Sequence, residues 1–328
     1  MTDDTEDPFD RWFAPSIDRK KLRGLMKRSD AHGLAYFLAW LVLVCCSGYL
    51  VYLSTSTWIL VLATVLHGAI LSFSYAASHE CAHGTAFKTR WLNELIFWIT
   101  SLVFIEEPLY RRYSHTSHHT YTWFNGKDAQ KPYGNPMSWW AYLSHTSGLA
   151  MPVISLWTLG RIAIGKLNDM EREFTPESEI RKMIGNSRWM LLIYSGLVLW
   201  AVLFQTAAPF VYFFIPRILG GWLVNLYINT QHMCMDEDVE DHRYSSNTIR
   251  CSPLGRLLYW NMNYHIEHHI YPTVPFHSLA ALRDEICDEL PTAAGGVFSA
   301  NTRIIGAIRR QKNDPGYFLK PVFDGDTN

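Results

Sequence analysis

Residues 33–53 read Gly-Leu-Ala-Tyr-Phe-Leu-Ala-Trp-Leu-Val-Leu-Val-Cys-Cys-Ser-Gly-Tyr-Leu-Val-Tyr-Leu, a run with no charged side chain. About 20 apolar residues wound as an α-helix cross the hydrocarbon core of a bilayer. The run is followed by a short uncharged turn, Ser54-Thr-Ser-Thr57, and by a second apolar run, Trp58–Ala77. The pair reads as a helical hairpin that crosses and returns. Arg19, Lys20, Lys21, Arg23, Lys27 and Arg28 precede it with no acidic residue among them. Such a basic cluster marks the cytoplasmic flank of a membrane helix.

The rest of the chain extends this pattern. Charges are absent from residues 33–78 and again from residues 189–216, although the mean hydropathy of all 328 residues is only −0.03. Trp189–Ala208 and Phe210–His232 supply a second hairpin. Trp91–Tyr110 has a charge-free stretch of only eleven residues and carries Glu94, Glu106 and Glu107, so it reads as interfacial or buried. Residues 138–160 are expected to lie along the membrane, with Trp139 and Trp140 as interface anchors, and 161–188 forms a charged cytoplasmic link. Arg217, inside the fourth span, is expected to snorkel to the headgroups. His67, alone within the second span, is expected to bond a neighbouring helix.

Net charge is −1, which gives no field to attract nucleic acid. The six cysteines, at 45, 46, 81, 234, 251 and 287, form no Cys-x-x-Cys pair and no disulfide framework, which points to a reducing compartment. Residues 1–18 are polar and acidic, a surface tail in which no cleavable signal peptide is expected. The expected organisation is one domain over 1–328. It comprises an N-terminal cytoplasmic tail at 1–32, a core at 33–290 and a C-terminal tail at 291–328.

Three short boxes carry the chemistry. His265, His268 and His269 are spaced i, i+3, i+4, as are His115, His118 and His119, and His79 and His83 are spaced i, i+4. Each spacing puts imidazoles on one helix face. Eight of the fourteen histidines sit in these boxes. A closed structural zinc site takes four ligands, usually with cysteine among them, so eight imidazoles fit two ions with about four nitrogens each. Cys81 points to a different face from His79 and His83. Imidazole suits iron, copper, zinc and nickel alike. An all-nitrogen dimetal site beside a bilayer, with no positioned carboxylate pair or nucleophile, favours redox chemistry on an apolar substrate. Glu80, Asp128, Glu267 and Asp236-Glu-Asp238 are available to fix imidazole tautomers. His32, His145, His242 and His277 carry no assigned role.

His-x-x-x-His at 79–83 and His-x-x-His-His at 115–119 and 265–269, interleaved with two membrane hairpins, resemble the membrane fatty acid desaturase/hydroxylase superfamily over residues 33–290. The resemblance implies a non-haem diiron centre on the cytoplasmic face, O2 as co-substrate, and removal of hydrogen from an unactivated C–H bond. It implies a further ligand on the last membrane helix, and His232 in Asn229-Thr-Gln-His232 occupies that position. Two irons would then be held by His79, His83, His115, His118, His119, His232, His265, His268 and His269, with no separate protein base or nucleophile.

The expectation is an all-α integral membrane protein with four transmembrane helices in two hairpins, and a cytoplasmic helical cap holding the histidine-rich dimetal site. Its activity would be desaturation of an acyl chain of a fatty acid or lipid. The alternatives are hydroxylation of a hydrocarbon, carotenoid or other apolar substrate on the same scaffold, and metal binding or transport. Transport sites lie near the membrane midplane, whereas the boxes fall at or beyond the helix ends. No nucleotide fingerprint, ferredoxin or rubredoxin cysteine pattern, or His-Pro-Gly-Gly of a fused cytochrome b5 is present. Electrons are therefore expected from a separate ferredoxin, rubredoxin or cytochrome b5 with its reductase.

Overall fold

A computed structural model of the chain describes residues 12–323; of the expected tail at 1–18, residues 1–11 lie outside the described residues, as do 324–328. Among the described residues, four helices are long and apolar enough to cross a membrane: Asp30–Tyr52, Thr57–Ala82, Glu177–Leu203 and Phe210–His232. The first follows a short helix, α1 (Arg19–Leu25), and is α2 (Asp30–Tyr52). The second is α3 (Thr57–Ser72) continued after Phe73 as α4 (Ser74–Ala82). It therefore runs past the expected end at Ala77 and carries the first histidine box on its last turn. Ser29 and Ser56 cap the starts of α2 and α3, accepting from the backbone of His32 and Ile59. Leu38, Val42, Trp58, Leu62, Val202 and Leu203 point outward, the arrangement of a bundle whose surround is apolar.

Between the hairpins come α5 (Arg90–Phe104), α6 (Pro108–Thr120), α7 (Trp139–Ser147), α8 (Met151–Ala163) and α9 (Asp169–Phe174). Helix α5 buries Asn93, Ile96, Phe97, Thr100, Ser101 and Phe104 and leaves Trp91 and Leu95 outside, the amphipathic division expected of an element lying against the bundle. Asn93 donates to Cys81 O at 2.9 Å, docking α5 on the end of α4. Ile105, with φ 65°, turns the chain into α6, where Glu107 accepts from Tyr110 N and Pro108 holds the first helical position. The region 138–160 forms the two short helices α7 and α8, with Trp140 81% exposed. The charged link differs from expectation because α10 (Glu177–Leu203) begins inside it, so the third span continues well beyond its apolar part.

The fourth span is irregular for a readable reason. A π-helical turn, Phe210–Phe214, leads into α11 (Ile215–Leu219) and then α12 (Gly221–His232). Pro216 has no N–H to bond the carbonyl four residues earlier, that of Tyr212. His67 Nε2 takes that carbonyl at 3.1 Å, and His67 Nδ1 lies 2.8 Å from Ser47 Oγ. The lone membrane histidine thus ties three spans together, as expected of it. Backbone contact here depends on glycine: a Cβ at Gly68 would lie 1.9 Å from Pro216 O, and one at Gly220 would lie 1.8 Å from Gly68 C.

Beyond the spans lie α13 (His242–Ser245), α14 (Pro253–Leu258), α15 (His265–Ile270), α16 (Leu279–Ile286) and α17 (Val297–Gln311). The segment after 290, expected as a tail, contains α17, whose Ala300, Asn301, Ile304 and Ile308 are buried. Asn301 Nδ2 donates to Leu226 O at 2.9 Å, fastening α17 to α12. Phe13, Ile17, Leu22 and Leu25 pack against the core formed by Ile266, Val274, Leu279, Leu282 and Ile286, so the N-terminal segment also braces the third box.

Arg217 corrects the sequence expectation. It does not reach a headgroup layer but is 2% exposed, donating through Nη1 to Ser72 Oγ at 2.7 Å and through Nη2 to Phe104 O at 3.1 Å. The carbonyl at the end of α5 and the hydroxyl on α3 supply acceptors that hold the guanidinium inside the bundle.

Candidate metal centre

Buried carboxylates place the first and third boxes. In α4, Glu80 accepts from Thr85 Oγ1 at 2.5 Å and from Phe276 N at 3.1 Å, joining the first box to the segment after the third. In α15, Glu267 accepts from Thr248 Oγ1 at 2.5 Å and forms a buried ion pair with Arg283 at 2.7 Å. That pair and the bond from Ile266 N to Thr248 Oγ1 hold a six-residue helix that would not form alone. Glu80 and Glu267 therefore serve as anchors of the boxes, and neither bonds an imidazole.

The histidines of the three boxes converge with His232 into two groups. His79, His83, His115, His119 and His268 form one, and His118, His232, His265 and His269 the other, with the donor atoms of each group within 4.8 Å of one another. All nine residues singled out from the sequence are brought together. The boxes interleave: the second and third each contribute to both groups. The groups adjoin, since the rings of His119 and His269 stack at 4.2 Å.

The outer nitrogens of several rings are committed. His115 Nδ1 meets Gln130 Oε1 at 3.0 Å, His118 Nδ1 meets Asp128 Oδ2 at 2.8 Å, and His232 Nδ1 meets Ser245 O at 2.8 Å. His269 Nδ1 lies 3.1 Å from Thr122 Oγ1. With an outer N–H donating to an acceptor, the inner Nε2 carries a lone pair. Two of those inner nitrogens meet an imidazole of the same group, His232 Nε2 lying 2.8 Å from His265 Nε2 and His115 Nε2 lying 3.2 Å from His119 Nε2. Both nitrogens of His79 and of His268, buried with their rings 4.8 Å apart, have no hydrogen-bond partner among the described residues. Converging lone pairs and orphaned buried nitrogens are what a bound cation satisfies, so the residues fit a dimetal site.

Electrostatics keeps the ligands ready. Burial pushes His83 down to about 3, and burial together with neighbouring imidazoles pushes His115, His119, His265, His268 and His269 well below the ordinary value. They are neutral at physiological pH, the form that binds metal. Burial would raise Asp128, but His118 and the backbone N–H groups of Gln130 and Trp123 hold it below the usual carboxylate range.

One residue that sequence reading passed over belongs to this neighbourhood. His242 is not in an open charged loop: it is buried, with its ring 5.1 Å from that of His269 and stacked on Trp12 at 4.3 Å. Nothing in its spacing from the boxes marks it. His277 stacks on His32 at 4.4 Å, and His145 pairs with Asn229 Oδ1 at 2.8 Å; neither belongs to the two groups. Cys81 is buried outside both groups, with its carbonyl taken by Asn93.

A cavity of about 280 Å³ opens directly onto this histidine cluster, reaching His79 and His115 of one group and His118, His232 and His265 of the other. Tyr75, Phe104, Val224 and Ile228 give it apolar walls, and Arg111 and Arg217 bring charge into it.

The sequence profile described as Fatty acid desaturase matches residues 56–300. The Delta(5) fatty acid desaturase fat-4 of Caenorhabditis elegans is 22% identical over 234 residues, covering 61% of this chain and 51% of that protein. The chain thus spans about half the length of the curated relative it matches.

Proposed function

The chain belongs to the fatty acid desaturase family, which makes it a desaturase-type oxidoreductase of the membrane, and from that membership we propose that it uses O2 and external electrons at a non-haem diiron centre to desaturate an acyl chain. The observation that carries the reading is the pair of adjoining, largely buried, all-imidazole groups opening onto one cavity. His79, His83, His115, His119 and His268 would hold one iron, and His118, His232, His265 and His269 the other. When bound, the two irons would supply the redox chemistry that couples O2 reduction to removal of two hydrogen atoms from the substrate. In balance, a –CH2–CH2– unit, O2, two electrons and two protons give –CH=CH– and two water molecules.

The chain's own residues prepare that chemistry. Gln130, Asp128 and the Ser245 carbonyl orient His115, His118 and His232. The walls of Tyr75, Phe104, Val224 and Ile228 exclude water and present the C–H bonds of an acyl chain to the histidine face of the cavity. No protein group beyond the ligands need accept a proton from carbon.

The remaining proposals follow from charge and composition. The basic cluster from Arg19 to Arg28 supports a cytoplasmic position for the centre and for both ends of the described chain. The electrons come from a ferredoxin, a rubredoxin or a cytochrome b5 with its reductase. Residues 1–328 act as one domain. The regiochemistry named for the nematode protein is not carried over.

The test is product analysis with a uniformly deuterated acyl chain, iron-loaded protein, O2 and a reductant. The reading predicts an alkene two deuterium atoms lighter than the substrate. Alcohol as sole product would instead establish the hydroxylase alternative.

A further inference from the structure

The cavity holds a cation that the desaturation chemistry does not use. Arg217 is 2% exposed and lines the cavity from the fourth span. Its two Nη atoms are bonded to Ser72 and Phe104, while Nε has no hydrogen-bond partner among the described residues. Arg111 and Glu106, in the same wall, pair with each other. Among the described residues no carboxylate pairs with Arg217, and the wall carries two guanidinium groups against one carboxylate.

A guanidinium removed from water without a counter-charge is strongly unfavourable, and such a group inside a membrane protein marks a ligand path or a missing partner. The partial negative charge at the end of α5, presented by Phe104 O, offsets only part of the cost. A capping role would occupy the two Nη atoms, but it accounts neither for the unpaired Nε nor for the place of Arg217 in the cavity wall.

We propose that Arg217 receives a carboxylate of the substrate inside the cavity. The substrate class is then a free amphiphilic carboxylic acid, bound with its polar end enclosed and its C–H bonds turned to the histidine wall. This rests on the desaturase-type reading of the same cavity and narrows its substrate. The phosphates of a nucleotide thioester or a glycerophospholipid also pair with a guanidinium, but they are carried on bulky heads, whereas Arg217 is 2% exposed within the bundle. A free carboxylate matches the guanidinium fork and supplies the missing charge.

The test is equilibrium binding of radiolabelled dodecanoate and methyl dodecanoate to iron-loaded, detergent-purified full-length protein held without O2 or reductant, wild type beside Arg217→Met and Arg217→Lys. Wild type is expected to bind the acid at least about tenfold more tightly than the ester, the scale of a charge-assisted bond. Arg217→Met should lose that preference with ester affinity unchanged, and Arg217→Lys should keep part of it. Retained ester binding reports an intact cavity in the variants. If Arg217→Met binds neither probe, the acid-to-ester ratios of wild type and Arg217→Lys decide by the same criterion. Equal binding of acid and ester by wild type, or an undiminished acid preference in Arg217→Met, overturns the proposal. The assay involves no turnover, so its failure leaves the desaturase reading standing, and failure of product formation leaves the acid preference standing.

Discussion

His232 Nε2 and His265 Nε2 lie 2.8 Å apart, one from the last membrane helix and the other from the third box, while His232 Nδ1 is committed to Ser245 O. This contact joins the membrane bundle to the cap within the group of four histidines that would hold one metal ion. The same logic governs His118, whose Nδ1 is fixed by Asp128 at 2.8 Å. Asp128→Asn removes the charge that supports the ring, and such outer partners typically affect metal affinity by about 10–100-fold. Chelator competition should show that loss at one of two ions, with the other unchanged. Equal weakening of both, or of neither, would contradict the division into two groups.

The third box depends on the ion pair between Glu267 and Arg283. Glu267 is fully buried, so Arg283→Met strands a carboxylate beside the histidines. Breaking a buried pair on one side costs about 3–5 kcal/mol. Thermal unfolding in detergent should shift down accordingly, and Glu267→Gln combined with Arg283→Met should recover part of the loss. A double variant no more stable than Arg283→Met would show that the pair is not the anchor.

Gly220 and Gly68 bring the fourth and second spans into backbone contact. Gly220→Ala places a methyl group where the backbone of Gly68 stands and should destabilise by at least about 1–3 kcal/mol. Gly185→Ala, on α10 with no atom within 4 Å of the new methyl, is the control. It should leave stability unchanged or raise it by up to about 1 kcal/mol. Similar melting temperatures for the two variants would refute the close approach.

Burial pushes Glu107, the residue that starts α6, up to about 7 from its ordinary 4.5. An acid whose value rises on folding binds its proton more tightly in the folded state. Its contribution is therefore complete below pH 4.5 and is lost as pH rises through about 7. Glu107→Gln keeps an oxygen for Tyr110 N without titrating. Stability measured across that window should fall less with pH in the variant than in wild type; parallel curves would remove Glu107 as a source of the pH dependence.

The four spans were legible because apolar length is a local property, written in runs such as residues 33–53. Their polar ends were not. The first box rides on the same helix as the second span, and α10 begins at Glu177 in charged sequence, because hydrogen bonding continues where hydropathy stops. The three boxes were legible from i, i+3, i+4 spacing, but their sorting into groups of five and four was not. Which imidazole faces which neighbour depends on helix crossings that no spacing records. His242 escaped for the same reason, reaching His269 through the fold from a four-residue helix. Arg217 was misread because its acceptors, Ser72 Oγ and Phe104 O, stand 145 and 113 positions away in the chain.

Metal content by mass spectrometry on detergent-purified protein, wild type beside His118→Ala and His268→Ala, tests the central claim most directly. The two substitutions remove one ligand from each group. The account predicts two irons per chain in wild type and a loss in each variant, His118→Ala from one group and His268→Ala from the other. A single zinc per chain, retained in both variants, would contradict it.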